Sequence, residues 1–328
     1  MEYFNAAQGL LSWNFIPNSY PLGYSLLLLP FILIFKPASI LDIARLVVIL
    51  QGVIFYSLAT IFVYLLARQF LRKLLSLSIA SFFLIYPYLF YLFFHYFSPA
   101  TELMRNFTIT RFNQLMFFLP LSDPLSTILV LGSFLLILKI YNKDDKRSSI
   151  FLGFITSWAI ITRLQNAILG PIYVVVFLVK RQYKNAVYFI LSSIPLGLLQ
   201  MYANYRINGS PFKTVYSNLS GAAGPEISFK YPLKIIEYSL HYSPLFLVLL
   251  LITAFLVIIG AVRIIRLNRE KGWLLAVYFF SFLAFISFFS MTFLNPRYFL
   301  PIIPAIFIFI FAGFDGVYDL LVNIKNRD

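Results

Sequence analysis

The sequence predicts an all-α polytopic membrane protein, a helical bundle of about nine or ten crossings with interfacial helices on its outer face. Three observations carry that reading. Of 328 residues, 61% are hydrophobic and 12% charged, against roughly half and a quarter in soluble domains. Apolar stretches recur from Leu22 to Phe314 with no long polar block between them. The 26 Lys and Arg, set against 12 Asp and Glu, gather in short clusters between those stretches.

Taken in order, Ala6 to Leu11 reads as a short amphipathic helix leading to a polar turn at Asn14, Pro17 and Asn18. Tyr20 to Phe35 is apolar but only about 16 residues long, where a crossing needs about 20. It contains Pro30 and is closed by Lys36-Pro37, so a re-entrant or interfacial hairpin is expected, and residues 1–42 form an outer segment. Residues 43–328 form the transmembrane domain. Its expected spans are Ile43 to Ala67, Leu74 to Phe97, Asp123 to Ile140, Ala186 to Ala203, Tyr242 to Val262, Trp273 to Phe293 and Tyr298 to Gly316. The stretch Ile150 to Val179 accommodates two short crossings if the chain turns near Arg163, Gln165 and Asn166. Those polar side chains are hard to place against lipid.

Five basic clusters fall on one side if about nine crossings begin at Ile43: Arg68 to Lys73, Lys139 to Arg147, Lys180 to Lys184, Arg263 to Lys271, and Lys325 with Arg327. By the excess of basic residues in cytoplasmic loops, that side is the cytoplasm. Loops 98–122 and 204–241 then lie outside. Basic residues spread this way answer to topology and anionic membrane lipids, not to nucleic acid. The membrane is the plasma membrane or the endoplasmic reticulum, depending on host. With no cysteine, disulfides, thiolate catalysis and Fe–S clusters are excluded; His95 and His241 are too few for a histidine-rich metal site. No P-loop, HExxH or GxGxxG pattern occurs, which leaves room for carboxylate-held metal ions.

Four short motifs stand in order along the chain. The first is Tyr3, Phe4, Ala7 and Leu10, followed by Pro21, Leu22 and Tyr24. The second is Leu121-Ser122-Asp123-Pro124-Leu125, the third Ile161-Thr162-Arg163, and the last runs from Asn295-Pro296-Arg297-Tyr298 to Pro304. In these motifs the chain resembles the GT-C-type superfamily of polytopic, lipid-phosphate-sugar-dependent glycosyltransferases. Its members include protein O-mannosyltransferases, aminoarabinose lipid A transferases and the mannosyltransferases of glycolipid-anchor synthesis. In that superfamily a helix and a catalytic Asp, often followed by Glu, precede the tyrosine-bearing segment. Here the resemblance begins at Glu2, in the place of the Glu, and lacks that helix and Asp.

The resemblance implies a GT-C-like fold and an inverting transfer of a hexose such as mannose from a polyprenyl-phosphate donor to a lipid, glycan or protein acceptor. Such a transfer needs a carboxylate to take a proton from the acceptor hydroxyl, and positive charge or a metal beside the departing phosphate. The implied catalytic residues are Glu2 and Asp123. Substrate-binding candidates are Arg163, Arg297, Tyr298, Glu102, Arg105, Arg111 and His241. The resemblance allows a divalent ion, Mg or Mn, at Asp123 without requiring one.

Each candidate has a plainer reading. Asp123 before Pro124 suits a helix N-cap, and Arg163 equally suits an ion pair with Asp123. Arg297 and Tyr298 suit interfacial anchoring, His241 a structural role, and Glu2 a solvated chain end. Two other functions compete: a transporter or lipid flippase, with Gly132, Gly153, Gly170 and Gly197 as places for broken helices, and a non-catalytic subunit of a membrane glycosylation complex.

Overall fold

The computed structural model describes residues 2–15, 21–96, 121–213, 233, 244–288 and 296–325. Every regular element among them is helical. By contacts the chain divides into two compact units, Met1–Leu58 with Phe117–Glu226, and Ala59–Met116 with Ile227–Asp328. The first division falls between Leu58 and Ala59, within the helical stretch Ile40–Ala67.

Among the described residues five stretches are long and apolar enough to cross a membrane: Ile40–Ala67, Ser122–Ile140, Tyr183–Asn208, Leu247–Leu267 and Phe299–Asp319. Shorter apolar helices cover Gly23–Phe35, Lys73–Leu89 and Leu164–Val179. The chain is thus a helical membrane protein. Other expected spans are shorter here or lie partly outside the described residues, as Lys146–Thr162 is 17 residues long and the expected Trp273 to Phe293 is described only to Phe288.

In the first unit, α1 (Glu2–Ser12) buries Phe4, Ala6, Ala7 and Gly9, as an amphipathic helix should. It packs on α2 (Gly23–Phe35), which runs unbroken through Pro30 and is closed by Lys36 in the left-handed region at φ 45°. The expected hairpin is therefore not formed within this segment. Proline removes one backbone bond, and the apolar face with buried Leu28 and Ile32 still holds the helix. Helix α3 (Ile40–Ile49) opens on a reciprocal cap between Ser39 and Asp42. It continues through a π turn (Leu50–Phe55) into α4 (Tyr56–Ala67).

Helix α6 (Ser122–Ile140) is buried on almost every side and packs on α7 (Lys146–Thr162). The chain breaks at Arg163, extended at φ −148° and ψ 115°, then makes a 3-10 turn (Leu164–Ile168) and α8 (Leu169–Val179). The break at Arg163 is where the sequence placed it. Helix α9 (Tyr183–Asn208) lies along α7 at very close range. A β-carbon on Gly153 would meet the Phe189 carbonyl oxygen at 2.2 Å, and Ser193 Oγ donates to Gly153 O at 3.1 Å. Gly153 is thus a packing glycine, Gly132 and Gly197 lie inside continuous helices, and Gly170 is the second residue of α8, just after the 3-10 turn.

In the second unit, α5 (Lys73–Tyr96) meets α12 (Ile303–Lys325) through Phe82, Phe83 and Tyr86, whose rings gather around Phe307. Helices α10 (Pro244–Leu267) and α12 are pressed together at glycines. A β-carbon on Gly260 would meet the Phe309 carbonyl, and one on Gly313 the Leu256 carbonyl. Helix α11 (Arg269–Phe288) packs beside them.

Within each unit, basic clusters assigned to one side meet at one end. In the first, Lys180 Nζ sits 4.5 Å over the Tyr141 ring, Gln182 donates to the Ile140 and Tyr141 carbonyls, and Asn185 to that of Lys143. In the second, Asp315 accepts from Arg72 at 2.9 Å and from Arg263 at 2.6 Å, while Lys271 reaches Gln69 at 3.2 Å.

Candidate functional site

The opposite end of the first unit holds the polar groups. There the start of α6 meets the end of α7, placing Asp123 beside Arg163. Arg163 Nη2 donates to Asp123 Oδ2 at 2.5 Å, and each residue is 2% exposed. Burying both charges is costly, and their mutual attraction offsets that cost only when the geometry is close.

Asp123 is not the N-cap that its place before Pro124 suggested. Leu121 holds that position, with no side-chain cap bond, and Asp123 lies inside the first turn with its carboxylate turned to Arg163. The ion pair left open by the sequence is formed.

The other motifs come to the same place. Tyr3 of α1 shares a hydrogen bond with Ser122 at 3.0 Å and meets the Tyr24 ring edge-on, with centroids 4.9 Å apart. Gln51, from the π turn, donates to Tyr24 Oη and to Leu121 O, both at 2.8 Å. Trp158 Nε1 donates to Gly23 O at 2.8 Å, and Gln200 Oε1 accepts from Leu22 N at 2.8 Å. One turn into α6, Ser126 accepts from Asn166 Nδ2 at 2.8 Å, and the same amide donates to Ala159 O. Three of the four sequence motifs therefore converge with a buried ion pair at their centre.

Glu2 is exposed on α1, next to the tyrosine that touches Ser122. Arg297 and Tyr298 belong to the second unit, in a 3-10 turn over Pro296–Ile302; their side chains lie outside the described residues. Glu102, Arg105, Arg111 and His241 also lie outside them.

The described surroundings of Asp123 supply one carboxylate and no second acidic or histidine ligand. Among the described residues no group of three or more His, Cys, Asp or Glu side chains gathers, and an oxygen of this carboxylate is already engaged by a guanidinium.

Sequence reasoning missed Gln51 and Asn166 as parts of this network. Asn166 was legible as a polar residue within an apolar stretch, and Gln51 was legible as the one amide between Arg45 and Arg68. No family model, curated protein or solved structure matches the chain.

Proposed function

We propose that the protein is a polytopic glycosyltransferase, moving a hexose such as mannose from a polyprenyl-phosphate carrier to a lipid, glycan or protein acceptor on the outer face of its membrane. One observation carries the reading. The tyrosine-bearing segment, the Ser122-Asp123 motif and the Thr162-Arg163 motif are far apart in sequence, yet they share hydrogen bonds around one buried ion pair. The resemblance requires these motifs to form a single site.

In this reading the chain has about nine crossings, with its basic clusters cytoplasmic and this end of the first unit outside. Asp123 orients the acceptor hydroxyl. Arg163 holds Asp123 in place and contributes positive charge beside the departing phosphate. Glu2 takes the acceptor proton, helped by the placement of α1 against Ser122. No step needs a metal.

A second reading, a non-catalytic subunit of a membrane glycosylation complex, is favoured by the burial of the Asp123–Arg163 pair, in which each charge meets its counter-ion within the fold. The two readings separate on donor binding. The purified protein in nanodiscs should bind a polyprenyl-phosphate sugar, and Asp123→Asn should reduce transfer far more than donor binding. A folded wild-type protein that neither binds nor transfers any such donor would refute the enzyme reading.

A further inference from the structure

Gln51 sits among the converging motifs, and neither the sequence motifs nor the division of labour above gives it a role. It is fully buried and is the one amide or charged side chain between Arg45 and Arg68. The helix that carries it is not regular there. Over Leu50–Phe55 it widens to a π turn, the one such turn among the described residues, in which Tyr56 N–H donates to Gln51 O five residues back. Insertions of this kind disturb the helix ladder and recur where a protein needs a side chain at an angle that an α-helix does not supply.

The hydrogen bonds of Gln51 are divided unequally. A primary amide has two N–H donors and one acceptor oxygen. Both donors are spent on fixed groups, Tyr24 Oη and Leu121 O, the latter only two residues from Asp123. Oε1 is buried and has no partner among the described residues. Asn166 repeats the pattern. Its Nδ2 is held by Ser126 and Ala159, while Oδ1 is buried with no described partner, as is Ser25 Oγ beside Tyr24.

An unmet buried acceptor is unfavourable unless something supplies a proton donor. An amide whose donors are already anchored presents only oxygen. It accepts from a hydroxyl and repels an anion, so its partner is the hydroxylated part of a ligand and not a phosphate.

We propose that Gln51 binds a hydroxyl of the transferred sugar through Oε1, with the π turn setting its angle and Tyr24 and Leu121 fixing its amide. This rests on the glycosyl-transfer reading above and adds to it a residue that recognises the sugar independently of the carrier.

The test compares two probes, undecaprenyl-phosphate mannose and undecaprenyl phosphate alone, binding to the full chain in nanodiscs. Gln51→Met keeps the approximate length of the side chain and removes the acceptor together with both donors. It should weaken the mannosyl carrier about tenfold and leave the sugar-free carrier within about twofold. Equal weakening of both probes would mean that Gln51 merely braces the fold, and no weakening of either would mean that Oε1 meets water; each result overturns the proposal while leaving the transferase reading standing. Failure of the wild-type chain to bind either probe would instead overturn the transferase reading itself. If Gln51→Met does not fold, monodeoxy-mannose carriers on the wild-type chain decide the matter. One of them must lose about tenfold, and equal affinity throughout the series refutes the assignment.

Discussion

Gly23 and Thr162 are in such close contact that a β-carbon on the glycine would lie 2.2 Å from Thr162 Oγ1 and 2.4 Å from its backbone nitrogen. The start of α2 thus presses against the end of α7, one residue before Arg163, and Trp158 clamps the same glycine through its carbonyl. This contact fixes the tyrosine-bearing segment against the ion pair.

Gly23→Ala should therefore be destabilising, because the obstructing atoms include backbone that cannot swing aside. A loss of about 1–3 kcal/mol is expected from forced overpacking. Gly170, helical with open space around its β-position, is the control. Gly170→Ala should be neutral or stabilising by up to about 1 kcal/mol. Thermal unfolding in detergent checks both, and equal behaviour of the two variants would contradict the packing described.

The two ends of the first unit should face opposite sides of the membrane. Lys143, beyond α6, and Phe212, beyond α9, are both exposed. The natural chain has no cysteine, so Lys143→Cys and Phe212→Cys each report one site. An impermeant thiol reagent should label Phe212→Cys in intact cells and Lys143→Cys only after permeabilisation. Labelling of both from the same side would refute the topology.

Asp145 caps α7, accepting from the Ser148 backbone at 3.0 Å and its hydroxyl at 2.8 Å. These bonds, first the backbone and then the hydroxyl, hold its carboxyl below the ordinary carboxylate range. Its protons therefore bind more weakly in the folded state, and the stability it contributes is complete above the unfolded value, about pH 4. That contribution fades as pH falls through the depressed native value. Wild type and Asp145→Ala should differ in denaturation midpoint at neutral pH and converge in acid. A difference that persists or grows in acid would contradict the assigned cap.

Some of this architecture was legible in the sequence, and the reasons differ from place to place. Arg163, Gln165 and Asn166 announced a break because lipid gives polar side chains no partners, and the helix does end there. The basic clusters announced which helix ends belong together, since charge is excluded from the bilayer. Gln51 was visible as a lone amide in an apolar stretch, but the π turn that carries it was not. A π turn adds one residue to a helix without altering its apolar composition, so periodicity does not register it. At Asp123 the Asp-Pro step left a helix cap and an ion pair with Arg163 both open, and the arrival of Arg163 from another helix decides for the pair. Pro30 misled, since proline favours a bend and packing here keeps the helix whole.

The most direct measurement of the central claim is sugar transfer by Asp123→Leu/Arg163→Met in proteoliposomes supplied with undecaprenyl-phosphate mannose and acceptor lipids. Removing one charge alone strands the other in the interior and costs about 3–5 kcal/mol, whereas replacing a whole buried pair with apolar side chains of similar size is often neutral or stabilising. The double variant should therefore fold and unfold like wild type while losing transfer by at least about 100-fold, or roughly 2.7 kcal/mol of barrier. A folded double variant that transfers mannose at the wild-type rate would show that Asp123 and Arg163 only hold two helices together.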